Sequence, residues 1–521
     1  MNSKIILAGI LLVGLLLRTL FIGSSPPSLY GDELTITLDA YSLLKTGHDQ
    51  LGNFLPLTFP MGAGRPAGYV YFSIPFIAIF GPTALGVRFL SILSGIGIIT
   101  LLYLIGRKLF SQRIGLIAAL ITAISPWEIS LSRGGFEAHF ALFLVLLGMY
   151  LFLKAKEKPI FYLFSAFSFG LALHTYPTYK ITLPLFLLVL AWFTNIKKNL
   201  PSLSKKYFFS GVAVLVILAI TSFSQTFIGG SETRFLSINV FSQDKLKSDI
   251  EEKINLERTI TSLPKSLIKY FHNKPVEYVK ILGENYLQNY SADFLFIHGD
   301  RNPRHNMATI GEFYFAEAIL ILIGFISLWQ KQKRTLIFLM IWIILAPIPT
   351  AIIGDPHALR SAFMLPPLIF LSALGLITIL EMKNKLPVTA LTVVFVIQFA
   401  FFLQKLYFLA PIEYKNFWSF NAKQASYMAL ENRQKYDAIF LSDKIDNIEF
   451  AYPVYTKVEP SEVISQNKIN TLIGMNRFKK YGNVYIGNIV ESEIKNFTKQ
   501  VGGKILIIKE NTESNITTQE I

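Results

Sequence analysis

Residues Leu29 to Asp49, LYGDELTITLDAYSLLKTGHD, follow directly on an apolar run, Ile5 to Ile22. That run has the length of a membrane helix, so the stretch after it sets two adjacent carboxylates, Asp32 and Glu33, where such a helix would reach water. Its own apolar residues recur with a helical period and stop at Gly47, which predicts a second helix lying along the membrane surface.

Working outward, the 521 residues are 52% hydrophobic and only 16% charged, with 44 Phe, more apolar material than a soluble core needs. Candidate spans are Ile5–Ile22, Leu85–Tyr103, Ile114–Ile129, Phe140–Phe152, Phe161–His174, Ile181–Phe193, Phe208–Phe227, Phe315–Trp329, Leu336–Ile353, Ala362–Leu380 and Val388–Phe408. They predict a polytopic α-helical membrane protein with about eleven transmembrane helices. FIGSSPPS lacks a small-x-small cleavage site, so the first run is expected to be retained as a helix.

The net charge of +15 is carried by short Lys and Arg clusters between apolar runs, which argues against a basic face for nucleic acid. GRKLFSQR, KAKEKP, NIKKNLPSLSKK, QKQKR and EMKNK alternate along the chain and are nearly free of acids, which places them and the N-terminus in the cytoplasm. The long connections 23–81 and 229–312 then lie outside. Within the first, AGYVYFSIPFIAIFG is apolar over only about 13 residues, too short to cross, and reads as an interfacial or re-entrant helix. There are no cysteines, so disulfides and thiolate chemistry are excluded.

The transmembrane domain is expected over 1–410. From 411 to 521 the composition turns polar, and YDAIFLSD, GNVYIGN and KILIIKE read as short strands of a small extracytoplasmic α/β domain. NTESNITTQEI has no apolar pattern and is expected to fray. No internal repeat is visible.

On this topology nearly every ionisable residue within the apolar region falls at one depth, outside or in the outer third of a helix. Charge at midplane, which an ion pathway or flippase needs, is almost lacking. Carboxylates activate hydroxyls, and Arg and His hold phosphate, so the layer suits transfer from a phosphorylated lipid to a hydroxyl.

The ordered set YGDE, GRPAGYVYFSIPFIAIFG, LGVRFLSILSGIGIITLLYLIGRKLF, SPWEISLSRGGFEAHFALFL and HALRSAFMLPPLIF resembles the GT-C superfamily of integral-membrane glycosyltransferases, in the branch of the protein O-mannosyltransferases and the bacterial aminoarabinose lipid A transferase. The resemblance covers residues 1 to 410. It implies that Asp32, with Glu33 beside it, positions or deprotonates the acceptor, and that Arg65, Arg133, His357 and Arg360 border the donor phosphate. Glu137, His139, His174, Asp300, Arg304 and His305 are candidate acceptor or accessory residues. The bland alternatives stand beside these: an acidic pair favoured at a helix N-terminus, an Arg133–Glu137 surface pair, and a solvated loop in IHGDRNPRH.

The resemblance implies an inverting transfer of a sugar from a polyprenyl-phosphate carrier to a protein, lipid or glycan hydroxyl. The rival readings are a lipid-linked glycan flippase, a glycan ligase and a structural membrane protein. No cofactor is required by the sequence: P-loop, Rossmann and H-x-x-x-H patterns are lacking, and a divalent cation shared with the substrate phosphate remains compatible. The expected setting is the plasma membrane, with the C-terminal domain outside.

Overall fold

The computed structural model describes residues 2–59, 64–196, 202–228, 239–469, 471–473, 476–490, 494–511 and 514–521. All eleven apolar runs are helical. The helices are α1 (Ser3–Thr19), α2 (Gly31–Thr46), α3 (Gly68–Phe80), α4 (Ala84–Leu109), α5 (Gln112–Ile124), α6 (Pro126–Ser132), α7 (Glu137–Lys154), α8 (Phe161–Leu173), α9 (Tyr179–Phe193) and α10 (Ser202–Ile228). An outer excursion carries α11 (Asp244–Ile260), α12 (Lys265–Phe271) and α13 (Lys274–Gln288). The chain re-enters the bundle as α14 (Phe315–Lys331), α15 (Lys333–Leu345), α16 (Ile348–Ile353), α17 (Ala358–Ser361), α18 (Leu365–Leu380) and α19 (Leu386–Gln404).

Among the described residues six helical stretches are long and apolar enough to cross a bilayer: Ala84–Leu109, Glu137–Lys154, Ser204–Thr226, Lys333–Ile353, Ala358–Leu380 and Leu386–Glu413. The pair α5 and α6 makes a seventh, bent by 61°. Ser125 and Pro126 cause the bend: the Ser125 hydroxyl caps the new helix by accepting from Glu128 N–H, and Pro126 has no N–H to continue the old one. By length and composition six or seven spans are thus counted among the described residues, and α1, α8, α9 and α14 run 13 to 17 residues. At 1.5 Å per residue such helices fall short of the roughly 30 Å hydrocarbon core.

Close backbone packing holds the bundle. Gly324 on α14 and Gly375 on α18 face each other's helix, and a Cβ at either would stand 1.9 Å from a carbonyl oxygen, of Leu371 or Leu320 respectively. Only glycine permits that approach, the small-residue crossing expected where lipid gives no hydrophobic drive between helices.

α2 obeys its sequence signals at both ends, with Asp32 and Glu33 in its first turn and Gly47 at φ +74° closing it. It is not an exposed helix, however. Residues Glu33 to Ala40 are all buried, because α2 is covered by α3 and α4 on one side and by the C-terminal domain on the other.

That domain carries α20 (Phe420–Asn432), α21 (Ile448–Tyr455), α22 (Pro460–Lys468) and α23 (Ile494–Val501) on a six-stranded sheet. With the outer hairpin numbered β1 (Thr58–Phe59) and β2 (Arg65–Pro66), the sheet strands are β3 (Ala438–Ser442), β4 (Thr471–Ile473), β5 (Asn476–Tyr481), β6 (Val484–Gly487), β7 (Ile505–Glu510) and β8 (Ile516–Glu520), in the order β4-β5-β6-β3-β7-β8. Central β3 is fully buried and runs parallel to β6 and β7. These three are the runs read as strands in the sequence. NTESNITTQEI does not fray: β8 pairs antiparallel with β7, so a backbone ladder orders a segment that has no apolar stripe.

The domain is bonded to the segment around α2. The Tyr455 hydroxyl meets Ser28 Oγ at 2.8 Å and accepts from Leu29 N–H, Lys423 donates to Pro27 O, and Asn467 donates to Gln50 O.

Candidate active site

Adjacent residues on a helix point about 100° apart, and this splits the acidic pair. Glu33 turns inward and is fully buried. Its carboxylate accepts from Arg88 Nε at 2.7 Å, Arg88 Nη2 at 2.8 Å and Gly135 N–H at 2.8 Å. The same guanidinium donates to the carbonyls of Ile22, Pro26 and Ser28, so one bidentate pair pins the whole connection from α1 to α2. Three donors thus occupy three of its roughly four lone-pair directions and tie Glu33 to the loop.

Asp32 turns outward, with its side chain 41% exposed. Its Oδ1 accepts from Arg65 Nη2 at 2.6 Å. Arg65 is 1% exposed, delivered by β2, whose register sets it opposite Phe59. It also donates to Thr35 Oγ1 at 2.8 Å and lies 2.6 Å from Glu137 Oε1 at the head of α7. Burial works against the Arg65 charge, but the Glu137 and Asp32 carboxylates outweigh it and hold its pKa above the ordinary value. The fork therefore fixes Asp32 from behind and leaves part of the carboxylate open to solvent.

A second group gathers in the outer loop. Asp300 Oδ2 lies 3.1 Å from His305 Nδ1 and 3.8 Å from His357 Nδ1, and accepts from Ala358 N–H, while Oδ1 accepts from Asn302 N–H. The two imidazole rings are 4.2 Å apart. Burial would raise the Asp300 carboxyl, but the His305 hydrogen bond and the His305 and His357 charges overcome it and bring it down to about 2. Behind it, Glu312 accepts from Asp300 N–H, and burial raises its pKa well above the usual range. Asp300, His357, Arg360, Arg301 and Asn302 line a cavity of about 950 Å³. One donor atom from each of Asp300, His305 and His357 lies within 4.8 Å of the others, an oxygen and nitrogen set that fits a divalent ion.

Tyr30, Phe136 and Arg304 join the two groups. The Tyr30 ring packs on Phe136 at 5.9 Å, Phe136 meets the His305 ring at 6.0 Å, and the Arg304 guanidinium stands 5.6 Å over Tyr30. Arg304 is half-buried, and its Nε also donates to Phe417 O. His298 and Arg301 are the exposed members of that loop.

The remaining candidates are placed elsewhere. Arg133 is buried, donates to the carbonyls of Leu17 and Ser25, and lies 5.0 Å from the Tyr407 ring; it forms no pair with Glu137. His139 meets Glu128, which is paired with Arg18, in a buried cluster behind the α1 loop. His174 Nε2 meets Leu218 O and Thr221 Oγ1 on α10.

Sequence reasoning passed over Tyr30 and Asp39. Asp39 lies on α2 below Thr35, fully buried, with Oδ1 accepting from Gln50 N–H and Nε2–H, and burial raises it to about 7. An acid two turns beyond Asp32 on the same helix was the available signal.

The helical bundle, the acidic residue gripped by an arginine and the added α/β domain agree with the resemblance to the GT-C membrane glycosyltransferases read from the sequence. Residues 65–223 match the model of the family described as dolichyl-phosphate-mannose-protein mannosyltransferase. In fold the chain is similar to ArnT from Cupriavidus metallidurans. The apo form gives a TM-score of 0.54 at 11% identity, covering 98% of this chain and 93% of that one. The form bound to undecaprenyl phosphate gives 0.52 at 12%, with the same coverage. It is also similar to the Archaeoglobus fulgidus oligosaccharyltransferase in complex with zinc and sulfate, at a TM-score of 0.48 and 15% identity over 86% of this chain; the chain spans 61% of that protein's length. No curated protein matches it in sequence.

Proposed function

We propose that the protein is an inverting glycosyltransferase that moves a sugar from a polyprenyl-phosphate carrier to a hydroxyl acceptor at the outer face of the plasma membrane. The observation that carries this is the division of the acidic pair: Glu33 is spent on Arg88, while Asp32 is fixed by Arg65 and left partly open. Asp32 takes the proton of the acceptor hydroxyl as that oxygen bonds to the anomeric carbon from the face opposite the phosphate. The carbon–oxygen bond to phosphate breaks, its electron pair stays with the phosphate, and configuration inverts. The leaving phosphate is weakly basic, so one base suffices.

His357 and Arg360, on the cavity wall, take the donor phosphate. Arg65 positions Asp32, and its contacts with Asp32, Glu137 and Thr35 leave it as the orienting group. A divalent ion at Asp300, His305 and His357 would offset negative charge on the donor phosphate. The likeness to ArnT bound to undecaprenyl phosphate supports a polyprenyl carrier. The cytoplasmic N-terminus and extracytoplasmic C-terminal domain follow from the basic connections.

The test is turnover by purified protein in lipid nanodiscs supplied with labelled polyprenyl-phosphate sugars and mixed hydroxyl acceptors. Wild type transfers label and Asp32→Asn does not; equal turnover by the two overturns the assignment.

A further inference from the structure

A second pocket, of about 320 Å³, lies where the outer loop, the linker and the C-terminal sheet meet. It is lined by Arg304, Asn416, Phe417, Phe420, Asp446 and Glu510, with Ser419 and Asn421 between them. Its walls are fixed. Ser419 sits at φ +48°, and its hydroxyl donates to Asp446 Oδ2 at 2.7 Å while accepting from Asn447 Nδ2. Asn421, 7% exposed, donates to Glu510 Oε1 at 3.0 Å and to Ser514 O. Each carboxylate therefore has one oxygen anchored, and among the described residues no donor meets the other.

The chemistry of this pocket selects a ligand. Two carboxylates face one guanidinium that is already committed to Phe417 O and the Tyr30 ring, so an anion is disfavoured. The polar lining disfavours an acyl chain. Hydroxyl groups both donate and accept, and so satisfy free carboxylate oxygens and the Asn416 amide together. Phe417 is 45% exposed and offers a ring face for the C–H side of a pyranose. Phe417 also lines the larger cavity that holds His357 and Arg360, so the two spaces adjoin across one side chain.

We propose that this pocket is an acceptor subsite for a neutral carbohydrate, so that the acceptor is a glycan. This rests on the glycosyltransferase reading above and names its acceptor class. Saturation-transfer NMR on the full chain in nanodiscs, with neutral methyl hexosides and disaccharides and with Ser- and Thr-containing peptides as the alternative, reads binding directly. The saccharides bind wild type, and the double variant Asp446→Asn/Glu510→Gln weakens them about tenfold or more, as expected for lost hydrogen bonds to charged groups. In turnover the acceptor KM rises by a similar factor, with kcat and donor KM held. If the double variant melts early, Phe417→Leu weakens saccharide binding several-fold and Phe417→Tyr restores it. Equal saccharide binding by wild type and all variants, or binding of peptides alone, overturns the proposal. Failure of the transferase reading looks different: wild type then turns over no donor with any acceptor, while saccharides still bind.

Discussion

Neighbouring carboxylates that differ by one methylene should respond to neutralisation in opposite ways. In Glu33→Gln the amide presents hydrogens to Arg88, and a fully buried guanidinium loses its counter-charge. Breaking a buried pair in this way costs about 3–5 kcal/mol. The loop from Ile22 to Ser28 loosens with it, because Arg88 bonds three of its carbonyls. In Asp32→Asn the affected pair has a side chain 41% exposed, and the stability loss falls to about 0.2–1 kcal/mol. Removal of the proton acceptor instead slows transfer by about 10²- to 10⁴-fold. Thermal melts by intrinsic fluorescence in nanodiscs, paired with single-turnover rates normalised to the folded fraction, separate the two effects. Asp32→Asn should melt near wild type and be almost inactive, and Glu33→Gln should melt well below it while its folded fraction retains transfer. A Glu33→Gln protein of wild-type stability without transfer would refute the division of labour.

Three other outcomes follow from packing and charge. Asp39 holds a proton up to about pH 7 in the folded chain against an ordinary value of 3.8, so stability falls as pH rises from about 4 to 7 and is level above. Asp39→Asn should flatten that slope and melt later than wild type at pH 8; a melting difference that is the same at pH 5 and pH 8 would count against it. Gly375→Ala drives a methyl group into the Leu320 carbonyl and should destabilise by about 1–3 kcal/mol, measured by the same melts. Elemental analysis of wild type grown with zinc and manganese should find one divalent ion per chain, absent from His305→Ala/His357→Ala; equal metal content in both would remove Asp300, His305 and His357 as ligands.

The apolar period was legible because every membrane helix must satisfy its own backbone, so each of the eleven runs had to be helical. Length was legible in α8 and α9, which end at Leu173 and Phe193 where their apolar runs end, but the bend that divides the run Ile114–Ile129 at Ser125 was not. The burial of α2 could not be read from its residues, since its cover comes from α21 and α22, some 400 positions along the chain. The same holds for the site. Asp32 and Arg65 were recognisable by motif, but the partner of Glu33 lies 55 positions away on α4, and His357 meets His305 across the intervening helices α14, α15 and α16. Arg133 had the position and charge of a phosphate ligand; the carbonyls of Leu17 and Ser25 claimed it, because a buried loop must find donors for its unpaired oxygens.

The bonds from Tyr455, Lys423 and Asn467 to the segment Pro27–Gln50 carry a consequence for biosynthesis. The ribosome synthesises every apolar helix of the bundle before it makes any of these three residues. The carboxylate proposed to act as base belongs to one of the earliest helices made, yet its backing arrives among the last. A polypeptide truncated near residue 410 would keep the contacts of α2 with α3 and α4 but lack the cover that α21 and α22 give it, so the packing of that helix is completed only after the bundle has been made.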